Sequence, residues 1–240
     1  MNDLDAFCCK IVMICYPNSR VIFSVGIVMS QSSESYWNRY YLGRDGFSCP
    51  SQFAAFILNE FSHKRRFIDI GCGDGRDSLF FASYGMKVLG IDGSASAVNL
   101  CQEKASKQGL TESFFSGLDI YDSEKCENFV TVHQDEWLGA LIYARFFLHA
   151  IDDAAERNFL KLASDLVGQK GQLCLEFRTH RDEFQQKETA AHYRRYIESL
   201  TFLRHARAYG FDCIYSAEGF GFAKYKSDDA HVARLILEKQ

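Results

Sequence analysis

A run of alternate glycines, Gly71-Cys72-Gly73-Asp74-Gly75, follows directly on the short apolar stretch Phe67-Ile68-Asp69-Ile70. No other feature restricts the fold as much. Glycines let a backbone turn sharply and pass close to a ligand. A strand that ends in such a turn and leads into a helix is the opening unit of an α/β sheet, and in these sheets ligands lie beyond the carboxyl ends of the strands. The spacing also narrows the ligand. A dinucleotide-binding turn wants its third glycine at position 76 and receives a pyrophosphate on the helix N-terminus. Here position 76 is Arg, Asp74 stands in the turn and Asp77 lies just beyond it. A pyrophosphate is repelled there, whereas a cationic ligand is tolerated.

The rest of the chain continues the alternation. A helix runs through Tyr84 and stops at Gly85. A strand over 87–91 ends at Asp92 and Gly93, and Ser94 caps the next helix. A short strand near 113–115 leads into Gly117-Leu118-Asp119-Ile120, and residues 121–136 are polar without a clear period. Further strands are expected over 140–143 and 172–178. Between them, Asp152 and Asp153 open a helix with Phe159, Leu162, Ala163 and Leu166 at i, i+3, i+4 and i+7. A long charged helix is expected over 186–209, closed by Gly210, followed by strands near 212–217 and 232–237. Upstream, Tyr36, Trp37, Tyr40 and Tyr41 share a helix-like spacing, and Pro50-Ser51 opens a helix. The pattern predicts an α/β fold, a doubly wound, mainly parallel sheet with helices on both faces. With two prolines and no low-complexity linker, one domain is expected over 29–240. It comprises an N-terminal helical segment (29–62) and a core (63–240) with an inserted, basic and aromatic segment at about 179–209.

Twenty-seven basic and 31 acidic side chains leave a net charge of −4, so no general nucleic-acid coat is expected. The nine cysteines are odd in number and form no Cys-x-x-Cys pair. Cys101, Cys174 and Cys213 read as small buried side chains, which implies reduced thiols and a cytoplasmic location. The apolar run from Ile11 is broken at Pro17-Asn18-Ser19-Arg20. Neither half reaches the ~18 residues of a membrane span, and stable membrane insertion is not expected. Residues 1–28 read as an added hairpin, a weak membrane-surface segment, or sequence upstream of a functional start at Met29. They are expected to be dispensable. No His/Asp/Glu cluster has metal-ligand spacing.

FIDIGCGDGRD, followed by LGIDGS and GLDI, resembles the class I S-adenosylmethionine-dependent methyltransferases, in order of elements over about residues 36–240. The resemblance implies a Rossmann-like, seven-stranded sheet with an antiparallel last strand, and S-adenosyl-L-methionine as cofactor. It implies that Asp69 bonds the amino group of the methionine moiety and that Gly71, Cys72 and Gly73 pass beneath that moiety. Asp92, beside Gly93, would take the ribose hydroxyls, and Asp119 would meet the adenine amine with the Ile120 N–H near the ring. Arg145 is placed with these residues; it either holds an anionic group or pairs with a neighbouring carboxylate. The aromatic cluster at 36–41 would form a lid. YARFFLHAI, EFRT and HYRRYI are also similar to uncharacterised bacterial methyltransferases that accompany surface-polysaccharide assembly.

A sulfonium donor leaves as a neutral group, so the protein mainly aligns donor and acceptor and excludes water. A hydroxyl acceptor also needs a base. His149, just past the fourth strand, is the candidate; the alternative is a local hydrogen bond. Tyr36, Trp37, Tyr40, Arg178, His192, Tyr193, Arg194 and Arg195 are candidates for acceptor binding, suited to a phosphate, carboxylate or sugar phosphate. The alternative is a solvated helix face balanced by Asp182, Glu183 and Glu188. The expected function is methyl transfer to a small anionic or carbohydrate-like acceptor, at oxygen. Three other readings stand beside it: a cofactor-binding protein without transfer, an RNA methyltransferase, and a nicotinamide-dependent oxidoreductase, which Asp74 and Arg76 disfavour.

Overall fold

Arg66–Ile70 (β1), Lys87–Asp92 (β2), Ser113–Gly117 (β3), Leu141–Arg145 (β4), Gln172–Arg178 (β5), Phe211–Tyr225 (β6) and Asp228–Lys239 (β7) form one sheet in the order β3-β2-β1-β4-β5-β7-β6. These come from a computed structural model, which describes residues 33–41, 49–188 and 192–240. The expected extension over 1–28, with Cys8, Cys9 and Cys15, lies outside the described residues. Strands β1 to β5 pair in parallel, while β7 is antiparallel to both β5 and β6. The seven-stranded, mainly parallel sheet with an antiparallel last strand is therefore as expected. Strand order reverses between β1 and β4, so the glycine loop after β1 stands at the switch point where α/β sheets bind ligands.

Among the described residues seven α-helices accompany the sheet: Ser33–Tyr41 (α1), Gln52–Glu60 (α2), Arg76–Ser83 (α3), Ala95–Lys107 (α4), Ser123–Trp137 (α5), Asp153–Val167 (α6) and Ser199–Ala208 (α7). Successive residues of β1 serve opposite faces. Phe67 packs with Phe53 and Ile57 of α2 and Phe81 of α3. Ile68 and Ile70 pack with Phe129 of α5, Phe159 and Leu162 of α6 and Phe202 of α7. This two-sided burial is why the strands read as apolar runs. Side chains close the helix starts: Ser51 accepts from Ala54 N, Ser94 from Ala97 N, and Asp152 from Ala154 N and Ala155 N.

Four expectations need correction. The polar stretch after Asp119 is a helix, α5, capped by Asp122 and buried only at Cys126, Phe129 and Trp137. The helix expected over 186–209 is confined to α7. Residues 192–198 run irregularly because their backbone bonds reach away from their own chain. Arg195 N donates to His149 O (2.8 Å) and Ile197 N to Arg178 O (3.3 Å), and Ile197 forms a parallel bridge with Thr179. Residues 189–191 of that stretch lie outside the described residues. Strands β6 and β7 are a long hairpin, well beyond the expected 212–217 and 232–237. Cys213 is exposed rather than buried, as is Cys49, while Cys72, Cys101, Cys126 and Cys174 are buried; β6 pairs only with β7 and turns Cys213 outward. Among the described residues no helix is long and apolar enough to cross a membrane.

Candidate cofactor and acceptor site

The loop after β1 is held from three sides. Gly71 N and Cys72 N both donate to Ile91 O of β2, at 2.7 and 3.1 Å. From α4, Cys101 Sγ donates to Gly73 O (3.1 Å) and Lys104 Nζ to Asp74 O (3.1 Å). From the end of β2, Asp92 Oδ2 accepts the Gly73 amide at 2.9 Å and Oδ1 accepts the Ser94 amide at 2.8 Å. Burial pushes the Asp92 carboxyl up, and these two amides pull it back. Each carboxylate oxygen keeps lone-pair capacity for a further donor.

Two glycines are fixed by what lies against them. Gly71 has φ +77°, and a Cβ there would sit 2.4 Å from the Phe147 ring. Gly73 has φ +56°, and a Cβ would sit 2.5 Å from Tyr41 Oη. A side chain at either position would collide with the ring packed against the loop. Tyr41 comes from α1, which is fastened over the loop by Asn38: its Oδ1 accepts from Ser94 Oγ (2.7 Å) and Ser96 N (3.3 Å). Burial, then Asp92 and Asp74, raise the Tyr41 phenol well above its ordinary range.

Asp69 is 3% exposed. Its Oδ2 accepts from Ser78 Oγ at 2.6 Å. Burial pushes its pKa up to about 8; the Ser78 bond opposes this, and nearby Asp77 and Asp92 add to it. The carboxyl thus holds its proton near neutral pH. Asp77 has a different task. It accepts from Ser51 N, Ser51 Oγ and Tyr143 Oη at 2.8, 2.8 and 2.9 Å, and pairs with Arg76. Burial would raise it, but Arg76 and Arg145 outweigh burial and hold it below the usual carboxylate range. Farther out, the Asp119 side chain is exposed and accepts from Tyr121 N (3.0 Å). Ile120 packs into the core, and its carbonyl accepts from Asn158 (2.9 Å). Gly93 is exposed between Asp92 and Ser94.

These residues fit S-adenosyl-L-methionine. A buried carboxyl without a tight ion pair suits a cationic head, two glycines offer bare backbone, and a carboxylate with free lone pairs suits a diol. Tyr41, from the aromatic cluster expected to form a lid, lies at the loop, and Asn38, Ser78 and Phe147 join it although no single residue of the sequence marks them as such.

The acceptor-side candidates divide. Tyr36 and Trp37 lie against His192, with ring centroids 4.8 and 5.4 Å apart, and Tyr36 Oη and His192 Nδ1 are hydrogen-bonded at 3.1 Å. Tyr40 stacks on Tyr36 (6.2 Å) within α1. Tyr193 is exposed. Arg178 and Arg195 are not open cations, contrary to expectation. Arg178 pairs with Asp182 and Asp228 (2.6 Å to the latter), and Arg195 with Asp153 and Glu156. A guanidinium removed from water requires such partners. Arg145 resolves to the carboxylate-pairing alternative: Glu176, fully buried, accepts from Arg145 Nε at 2.6 Å and from Arg234 Nε at 2.7 Å.

His149 lies in a single 3₁₀ turn, Leu148–Ala150, just past β4. It is 6% exposed, and its Nδ1 has no partner among the described residues. Burial first, then Arg178, Arg194, His192 and Arg145, hold the imidazole well below its ordinary range. Burial and Arg178 likewise lower Arg194. Among the described residues no group of three or more His, Cys, Asp or Glu could hold a metal.

A sheet of this order, with a glycine loop at its switch point braced by the acid that ends β2, defines the class I fold of S-adenosylmethionine-dependent methyltransferases. The comparisons agree. A family model described as "Methyltransferase domain" matches residues 61–195, more than half of the chain, and the chain belongs to that family. Its cofactor is S-adenosyl-L-methionine. A protein of Geobacillus sp. (strain WCH70) named "Putative methyltransferase" is 28% identical over 89 residues; that match spans 36% of this chain and 36% of the relative's length. Among solved structures, a SAM-dependent methyltransferase from Anabaena variabilis is similar at 18% identity and a TM-score of 0.65, covering 86% of this chain and 93% of that one. The CcbJ methyltransferase from Streptomyces caelestis is similar at 13% identity and a TM-score of 0.64, covering 87% and 99%. At these identities the likeness shows the fold alone.

Proposed function

We propose that this protein transfers a methyl group from S-adenosyl-L-methionine to an oxygen of a small acceptor that also carries an anionic group. When bound, the cofactor supplies a methyl group on a sulfonium. The protein's own residues then bind, orient and exclude water. Asp69 meets the cationic head of the cofactor, Asp92 its ribose and Asp119 its adenine. Helix α1, from the N-terminal segment, serves as a lid over the glycine loop, and the segment within 179–209 builds the acceptor side.

The observation that carries the acceptor reading is the buried His149 ring, with Nδ1 unpartnered among the described residues, facing Arg145, Arg178, Arg194 and His192. Burial first, then the nearby cationic groups, hold the His149 imidazole well below its ordinary range, which makes it a weak base. An acceptor with a carboxylate or phosphate offsets that charge and restores the basicity of His149 toward a hydroxyl on the same molecule. A cationic amine acceptor is repelled by the same groups. Carbohydrate acids and sugar phosphates fall within this class.

The test has two stages. Calorimetry with S-adenosylhomocysteine checks the cofactor site; no binding would end the reading. Turnover of S-adenosyl-L-methionine is then compared for hydroxy acids and sugar phosphates, their uncharged analogues, and amines. Methylation of the anionic hydroxyl compounds, lost in His149→Gln, is expected. Preference for amines or uncharged alcohols, or binding without turnover across the whole panel, would sink it.

A further inference from the structure

Phe146, between Arg145 and His149, is marked by no motif, yet its backbone is unusual. Its φ is +56°, in the left-handed region that a bulky residue enters only against strain and that glycine enters freely. Its amide is fixed to Glu176 O at 2.8 Å. The strained backbone carries the ring to a point where four groups converge. The guanidinium carbons of Arg145 and Arg178 lie 4.4 and 5.4 Å from its centroid. The His149 ring meets it edge-on at 5.1 Å and 66°. The ring also packs against Ala223, Ala230 and Val232 of the β6–β7 hairpin. Each guanidinium is tethered elsewhere, Arg145 by Glu176 and Arg178 by Asp182 and Asp228. Strain of this kind persists where the surrounding structure over-determines it, and it gathers at functional sites.

We propose that Phe146 is a positioning residue: its ring holds Arg145 and Arg178 apart and fixes the His149 imidazole at the acceptor side. The inference rests on the acceptor-side reading of His149 given above. The charged and titratable groups that act on His149 are Arg145 from β4, Arg178 from β5, and His192 and Arg194 from the segment after β5, with Glu176 paired to Arg145 and Asp182 and Asp228 to Arg178. An aromatic ring attracts cations over its face. It therefore holds the two guanidiniums over its face while each keeps its carboxylate partners. Removing it admits water beside the imidazole and leaves the ring unfixed, while both arginines keep their carboxylate tethers.

The experiment is an NMR titration of ring-labelled histidine in the full chain, with His149 assigned by His149→Gln. In the wild type, the His149 ring stays neutral through the range near pH 6.5 where free histidine titrates. Phe146→Leu and Phe146→Gly are expected to move its titration up by about one pH unit or more, a tenfold change in protonation at fixed pH. Phe146→Tyr should preserve the wild-type curve. Phe146→Gly also removes the φ strain, which keeps the test open if the leucine variant does not fold. S-adenosylhomocysteine affinity, read by calorimetry, should stay within about threefold in all three variants, since their substitutions lie outside the cofactor residues. An unchanged His149 titration in the leucine and glycine variants would overturn the proposal. So would failure of tyrosine to substitute, or a parallel collapse of cofactor binding. If the wild type itself does not bind S-adenosylhomocysteine, the cofactor reading fails while the titration still decides this one.

Discussion

Asp92 Oδ2 accepts the Gly73 amide at 2.9 Å, so the acid that ends β2 holds the loop that ends β1. Its other oxygen holds Ser94 N at the start of α4. Asp92→Asn leaves one oxygen for two amides and sets an NH₂ against an N–H. The loop should loosen at a cost of about 1–2 kcal/mol. S-adenosylhomocysteine affinity should fall roughly tenfold or more. Thermal melts and calorimetry on one preparation check both, and unaltered affinity would remove Asp92 from the cofactor site.

Asp69 makes stability depend on pH. Its pKa is pushed to about 8 in the folded chain, against an ordinary 3.8. Between those values the folded state holds more protons than the unfolded one, so stability without cofactor falls as pH rises through this window. Asp69→Asn removes the contribution. The variant should be more stable than the wild type at pH 8 by ~1–3 kcal/mol and close to it at pH 4. A cationic ligand reverses the preference, so S-adenosyl-L-methionine should bind more tightly as pH rises toward 8 and displace a proton. Melts across pH, with calorimetry in buffers of different ionisation heat, test this. Parallel stability curves for the two proteins would show that Asp69 ionises normally.

Gly71→Ala combines a positive φ with a Cβ placed 2.4 Å from Phe147. The backbone term alone costs about 1–2 kcal/mol, and Phe147 must also move. Melting temperature and S-adenosylhomocysteine binding should both drop. Adding Phe147→Leu should recover part of the stability if the clash is the cause. No recovery would leave the backbone as the whole effect.

Glu176 is fully buried between Arg145 and Arg234. Glu176→Gln leaves two buried guanidiniums without a countercharge and should cost ~3–5 kcal/mol in denaturant unfolding. Lys161→Ala, at the exposed pair with Asp165, should cost less than about 0.5 kcal/mol. Comparable losses in the two variants would deny the triad its structural role.

The cofactor side of the protein was legible because its signals are local. Gly71, Gly73, Asp92 and Ser94 each act within a few residues of a strand end, and β1, β2, β4 and β5 are buried on both faces, so they stand out as apolar runs. The acceptor side depends on distant partners. Arg178 and Arg195 look like anion binders in the sequence, because nothing local shows that Asp228, Asp153 and Glu156 reach them. The segment 192–198 has helical composition but bonds to His149 and Arg178 instead of to itself. Helix α5 was hidden because only three of its side chains are buried. Its start is capped by Asp122, whose side chain accepts from Lys125 N.

Arg145, Glu176 and Arg234 stand opposite one another on β4, β5 and β7. Sliding β7 by one residue along β5 would turn Arg234 to the other face of the sheet and strand Glu176 with one partner. The triad therefore acts as a keying pin. The β6–β7 hairpin can vary in its bulged part, between Gly219 and Ala223, while its seating against β5 stays in one register. The wall it contributes beside Phe146 is thus indexed to β5 and, through β4, to β1, the strand that precedes the glycine loop, even if the hairpin's outer sequence drifts.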